Sequence, residues 1–356
     1  MITIYVFIEL IIKGYNRFDM TLLSHQRIVI GLIVITIGLA LFSLFLGHYS
    51  ISINHIFNIL FSPFKTSKDQ LLIFQQQIIW QVRIPRILLA FLAGSGLALC
   101  GAVLQGLFYN PLVDPHVIGV TSSAAFGGTL AILLNFSTFG LIVLAFLFGI
   151  STLLLIFIVI KSLKQNNILI LVLIGLVLSG FFSALVSLMQ YLADTEEKLP
   201  SIVFWLLGSF ATANWNKLII LAIPTIVASY LLIRLSWRIN ILSLGDNEAK
   251  SLGISVLFSR WLILVLCTLI ISIQVAVSGC IGWIGLIIPH AARLLVGGNH
   301  QRLLPVAFWF GGGFMMIIDD IARLMSTAEI PLGIITALIG APCFVILLRR
   351  QILPRS

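Results

Sequence analysis

Charge is what this chain has least of. Asp, Glu, Lys and Arg make up only 9% of its 356 residues, with 12 acidic against 21 basic side chains. A soluble domain carries roughly 25%, so water is not the main solvent of this polypeptide. Cysteine is equally sparse. Cys100, Cys267, Cys280 and Cys343 all lie in apolar segments and none forms a CxxC pair; that pattern indicates neither a disulfide framework nor a thiolate metal site, and the four read as small apolar packers. No HExxH, no GxSxG and no cluster of His with carboxylates occurs, so no catalytic residues and no metal site are expected, and the chain is not read as an enzyme. His290, following Pro289 in an apolar run, reads as a structural histidine.

What the chain has in excess is hydrocarbon: 60% hydrophobic residues and a mean hydropathy of +1.15. If a span with its connection takes roughly 25–35 residues, this length holds about ten spans and no nucleotide-binding domain. Apolar segments run at 28–46, 87–108, 117–134, 139–160, 168–192, 201–213 with 217–233, 261–280, 281–296, 303–323 and 332–348. The stretch 201–233, interrupted by Asn214, Trp215, Asn216 and Lys217, reads as a short re-entrant helix followed by a span. The expectation is an all-α polytopic membrane protein of about ten transmembrane helices: a cytoplasmic segment over 1–27, then one transmembrane domain over 28–350. The run Ile2–Ile12 is too short to span and lacks a basic n-region, so a cleaved signal peptide is not expected. A start at Met20, which would remove 1–19, stays open.

Basic residues choose the orientation. Lys13, Arg17, Arg27, Lys161, Lys164, Arg234, Arg238, Lys250, Arg260, Arg293, Arg302, Arg349, Arg350 and Arg355 fall on the side of the termini; Lys65, Lys68, Arg83, Arg86, Lys198, Lys217 and Arg323 fall on the other. Fourteen against seven places both termini in the cytoplasm by the positive-inside bias. Mid-span positions are nearly bare of charge: Asp319, Asp320 and Arg323 sit towards the expected outer end of their helix, and Arg293 towards an inner end. A proton- or sodium-coupled carrier usually keeps ionisable groups near the midplane, so the energy for uphill movement is expected to come from another subunit. No charged ring or carbonyl-rich filter sequence stands out as in a channel.

Small residues four apart mark three helix faces: Gly94, Ala98 and Ala102; Gly175, Ser179 and Ser183; Gly333, Ala337 and Ala341. Such faces let helix backbones approach closely in lipid. Helix contact is the reading for the first set; for the other two a narrow substrate path is a second reading. The segment from about 240 to 256 is the longest polar connection on the expected cytoplasmic side. In it, Ser243 with Asp246 three residues on suggests a helix N-terminal box, and Gly253 a helix end. A short surface helix there would suit docking of a soluble partner.

Several stretches together resemble the permeases of the iron-siderophore, haem and cobalamin import family, the FecCD-type type II ABC importers. They are RIPRILLAFLAGSGLALCGAVLQGLFYNPLVDPHVIGV over 83–120, SLGDNEAKSLGI over 243–254, SGCIGWIGLIIPHAARLLVGGNHQRLLP over 278–305 and IARLMSTAEIPLGIITALIGAPCFVILLRR over 321–350. The resemblance implies the type II importer permease fold, in the bacterial or archaeal cytoplasmic membrane. It implies a second permease copy, most simply a homodimer, two cytoplasmic ATPase subunits that carry ATP and Mg, and a periplasmic or lipid-anchored binding protein. This chain itself would hold no cofactor. By the same resemblance Arg83, Arg86 and Arg323 would present exposed guanidiniums to the binding protein. Gly245, Glu248, Ala249, Leu252 and Gly253 would couple to the ATPase. Gly175, Ser179, Ser183, Gly333, Ala337 and Ala341 would line the path. At the inner gate, where the cobalamin permease has a threonine-serine pair, this chain carries Ile168 and Leu169 after Asn166 and Asn167. The cargo expected first is a metal chelate (ferric siderophore, haem or cobalamin), with a molybdate- or tungstate-type oxyanion as the alternative.

Overall fold

The computed structural model describes residues 22–61, 70–164, 168–326 and 328–352, and these are helical or connect helices, with no strand among them. Most of the expected N-terminal segment, the candidate start at Met20, Lys65, Lys68 and Arg355 of the charge count, and Asn166 and Asn167 of the expected gate lie outside the described residues. Helix is what a chain this poor in charge must form: without water inside a bilayer, backbone N–H and C=O groups have to satisfy one another within the segment.

The chain opens with α1 (Leu22–Phe45) and a short helix, α2 (Ile53–Phe61), whose Ile56 and Ile59 are buried with Ile51 and Ile79. α3 (Gln70–Gln77), a π-helical turn (Ile78–Arg83) and α4 (Ile84–Leu107) then form one rod of 38 residues. The sequence pattern starts this span only at 87, because Gln75–Gln77 and Pro85 look like a break. The helix instead runs through, and widens where Pro85 has no N–H to offer the Gln81 carbonyl.

A turn of 3₁₀ helix (Pro115–Ile118), capped by the Asp114 carboxylate accepting from the His116 N–H at 2.9 Å, leads into α5 (Val120–Leu133). Next come α6 (Thr138–Leu163), α7 (Ile168–Leu192), α8 (Lys198–Leu206) and α9 (Trp215–Arg234). α10 (Ser236–Leu242) and α11 (Asp246–Ser251) are short. The chain closes with α12 (Val256–Ser278), α13 (Ile284–Val296), α14 (His300–Met325) and α15 (Leu332–Ile352). Among the described residues seven helices are long and apolar enough to cross a membrane; at the other three expected spans stand the shorter apolar helices Val120–Leu133, Ile284–Val296 and Leu332–Leu347. α8, with 9 residues, is too short to cross, so the interrupted 201–233 stretch is a short helix, a corner and a span, as its sequence suggests.

α4 is the hub. Its apolar stretch is 89% buried, against 17% for α1 and 22% for α7. Gly94 meets the backbone of Gly311 on α14, with Ala98 beside it, and Gly101 meets the backbone of Gly285 on α13. The first small-residue face is therefore a helix contact, as read. At either glycine a β-carbon would collide with backbone, which cannot swing aside.

Gly101→Val is expected to force α4 and α13 apart and to lower stability by at least about 1–3 kcal/mol, read as a fall in the melting temperature of the detergent-solubilised protein. Gly31→Ala, at a position with nothing within 4 Å of the added carbon, should leave it unchanged or slightly raised.

Candidate functional site

Polar groups concentrate at the two ends of α4, whose 24 residues separate them by about 36 Å at 1.5 Å per residue.

At its N-terminal end Arg86 is held from two sides. Its Nε donates to both Asp319 oxygens at 3.1 and 3.0 Å and its Nη2 to Asp319 Oδ1 at 2.8 Å; Nη1 and Nη2 also reach the two oxygens of Glu329 at 2.8 and 3.0 Å. One turn beyond Asp319 on α14, Arg323 pairs with Asp320 and donates to Ser43 Oγ on α1 at 2.8 Å, while Ser43 donates to Asp320 at 2.6 Å. Arg83 donates to the carbonyls of Leu44 and Tyr49. All three arginines are about 5% exposed or less. The expectation of exposed guanidiniums is thus corrected: their carboxylate and carbonyl partners come from this same chain. The sequence put Arg323 beside Asp319 and Asp320 but gave no sign that Glu329, in the next connection, would fold back onto Arg86. Glu329 adopts a left-handed φ of 52° to do so.

At the other end α11 hangs on a polar knot. Asp246 accepts from the Tyr109 hydroxyl at 2.8 Å and from the buried Arg260 at 2.6 Å, which ties α11 to the end of α4 and to α12. Partial burial, with the bond to Asp246, pushes the Tyr109 phenol up to about 12, so it stays a donor at neutral pH. The expected Ser243–Asp246 box does not form. Ser243 donates to the Asn240 carbonyl at 2.7 Å and α11 starts without a side-chain cap, since its N-cap residue is Gly245. Gly253 does end the helix, with φ +77° and its N–H on the Lys250 carbonyl. Gly245 has φ +129°, and the Glu248 carboxylate folds back over it. Ala249 is buried, whereas Glu248, Leu252 and the neighbouring Leu244 are exposed. A second tie links α10 to α14: Asn240 Oδ1 accepts from the His300 backbone at 2.7 Å and lies 2.8 Å from His300 Nδ1, and Asn240 Nδ2 donates to Asn299. Sequence reading missed Tyr109, Asn240 and His300, because only folding brings them to these partners.

The two remaining small faces behave differently. Gly175 lies against the backbone of Val117 and Ile118, and Ser179 shares a hydrogen bond with Ser122 at 2.9 Å, so both touch neighbours within the chain; Ser183 is exposed. The first turn of α15 is pinned by the Leu332 and Gly333 N–H groups donating to Gly208 and Leu207 at 2.9 Å, with Ala337 and Ala341 half-buried beyond it. α7 packs chiefly on α5, α6 and the 3₁₀ turn, and α15 on α13 and α14, so the two faces have different main neighbours among the described residues. Of the expected gate residues, Ile168 is half-buried and Leu169 exposed. His290 is buried, stacked on Phe344 and 3.2 Å from the Arg293 guanidinium through Nδ1, the structural role expected of it.

A helical bundle of about ten apolar segments, hubbed on one buried helix and tied to a short polar helix at one end, defines a multi-pass membrane protein. The chain belongs to the FecCD transport family, whose model matches residues 33–350. It is similar to the molybdate import system permease protein MolB of Haemophilus influenzae, at 53% identity over 91% of this chain and 96% of that one. It is also similar to the hemin transport system permease protein HmuU of Yersinia pestis, at 35% identity over 93% and 97% of the two chains. A solved structure described as an inward-facing conformation of a metal-chelate type ABC transporter matches with a TM-score of 0.82 and 52% identity, covering 91% of this chain and 99% of that one. The protein is thus the permease component of an ABC importer.

Replacing Arg86 by Ala leaves the buried Asp319 carboxylate without its main partner and should cost about 3–5 kcal/mol. Glu329→Gln, at a side chain 23% exposed, should cost less. Thermal unfolding of the two variants and of the double variant measures the coupling.

Proposed function

We propose that this permease carries a small oxyanion of the molybdate class into the cell by alternating access. The observation that supports it is the 53% identity to MolB across 96% of that protein's length. A metal chelate is the second reading, favoured by the description of the solved structure at 52% identity and by the relation to HmuU. Two identical copies would assemble with two ATPase subunits, which bind ATP and Mg. The strongly exposed α7, bearing Leu173, Leu176 and Val177, and the small face of α15 would then face the second copy and enclose the path.

In this reading the α11 end is cytoplasmic and the Arg86 end receives the binding protein. Arg83, Arg86 and Arg323 shape that receiving surface by holding α1, α4, α14 and the Glu329 connection together. At the opposite end, exposed Leu244, Glu248 and Leu252 meet the ATPase, while Ala249 and Asp246 root α11 in the bundle. Closure of the ATPase pair would push α11, and the Tyr109 and Arg260 contacts would pass the push to α4 and α12. Both states need only lie close in free energy, so that partner binding shifts their populations.

Proteoliposomes holding the permease, its ATPase and its binding protein should take up molybdate or tungstate on ATP addition, and far less ferric siderophore, haem or cobalamin. The reverse order would remove the oxyanion reading. Gly253→Val, which strains a left-handed residue, and Ala249→Trp, which cannot fit a buried site, should leave ATP hydrolysis running while uptake falls by about tenfold or more; normal uptake in both would remove α11 from the coupling role.

A further inference from the structure

Between the end of α8 and the first turn of α9 lies a cleft of about 550 Å³. Phe204, Trp205 and Val277 supply apolar lining, and its one charged lining residue is Lys217, with Ser209 and Thr212 of the 207–214 corner beside it.

The hydrogen-bond inventory of this cleft is one-sided. Lys217 Nζ donates to Thr212 Oγ1 at 2.5 Å, which leaves two of its three N–H donors. Among the described residues no carboxylate pairs with it. Thr212 accepts that bond and Ser209 Oγ accepts from the Ala211 N–H at 3.0 Å, so both hydroxyl hydrogens are uncommitted. Ser201 and Ser278, also lining, have already given theirs to the carbonyls of Glu197 and Gln274 at 2.9 Å. What remains is a set of donors around one positive charge with no acidic residue in the lining. That chemistry fits an anion.

Its position fits a path. The corner that carries Ser209 is the one whose Leu207 and Gly208 carbonyls hold the first turn of α15 at Leu332 and Gly333, so the cleft lies beside the start of that helix. The indole of Trp215, two residues before Lys217, donates to the Trp80 carbonyl at 2.8 Å, one turn from Arg83. The cleft therefore stands at the Arg86 end of the bundle. The Asn214 side chain accepts from the Lys217 N–H at 2.9 Å and sets this first turn of α9.

We propose that Lys217, Thr212 and Ser209 form an anion-holding subsite at the receiving end of the path, through which a tetrahedral oxyanion passes inward. This rests on the oxyanion reading above and names the residues that would serve it. A single lysine in a wide, partly apolar cleft holds an anion loosely, as suits a cargo that has to leave again.

The test is ATP-driven molybdate uptake by the reconstituted importer carrying Lys217→Arg, Lys217→Gln, Lys217→Glu or Thr212→Val. Lys217→Arg should keep most of the uptake, Lys217→Gln should lose about tenfold and Lys217→Glu more, with Thr212→Val intermediate. Thermal unfolding of each complex reports folding separately, and the conservative Lys217→Gln variant carries the test if Lys217→Glu does not fold. Undiminished uptake with Lys217→Gln, or an equal loss with Lys217→Arg, would overturn the subsite while wild-type uptake keeps the oxyanion reading intact. Absence of molybdate uptake by the wild type would overturn that reading and the subsite with it.

Discussion

In a bilayer two apolar helices gain little by meeting, because lipid tails are as apolar as the side chains that would leave them; association has to come from close contact and from polar ties. In this protein both converge on α4. Gly94 against Gly311 and Gly101 against Gly285 bring backbone to backbone, so α13 and α14 are set by contacts that tolerate no added carbon. The less buried helices lie further out: α1 packs mainly on α14, and α7 on α5, α6 and the 3₁₀ turn.

The polar ties sit at the two ends of α4. Arg86, Asp319 and Glu329 join α4, α14 and the connection into α15, while Arg323, Asp320 and Ser43 add α1. Taken out of water, each of these charges would be costly alone. Paired, they mutually neutralise and hold one end of the bundle as a unit. At the far end Asp246 serves Tyr109 and Arg260 together, so a six-residue helix with little stability of its own is bound to two long spans.

Between these ends the chain has little charge, which is consistent with an importer whose work is done by a separate ATPase. At the Arg86 end, Lys217 donates to a hydroxyl, not to a carboxylate, in the 550 Å³ cleft. Arg86, Arg323 and Arg260 have carboxylate partners; Lys217, in a cleft without an acidic lining residue, has a hydroxyl.

Several features were legible in the sequence alone. Hydrophobic length determines the number of spans, since the bilayer allows few alternatives to a helix of about 20 residues. Small residues four apart determined the α4 contact, and the motif order pointed to the family. The interruption at Asn214 marked the short α8 correctly. What only the tertiary structure decided is where charges end up. Arg83 and Arg86 read as surface groups because their partners Leu44, Asp319 and Glu329 lie 39 to 243 residues away in the chain; Arg323 has Asp320 beside it in sequence, but Ser43 lies 280 residues away. Asp246 read as a local cap until Tyr109 and Arg260 claimed it. Periodicity is a local property, dictated by the solvent a segment sees; ion pairing is a property of neighbours, and neighbours exist only once the helices have packed.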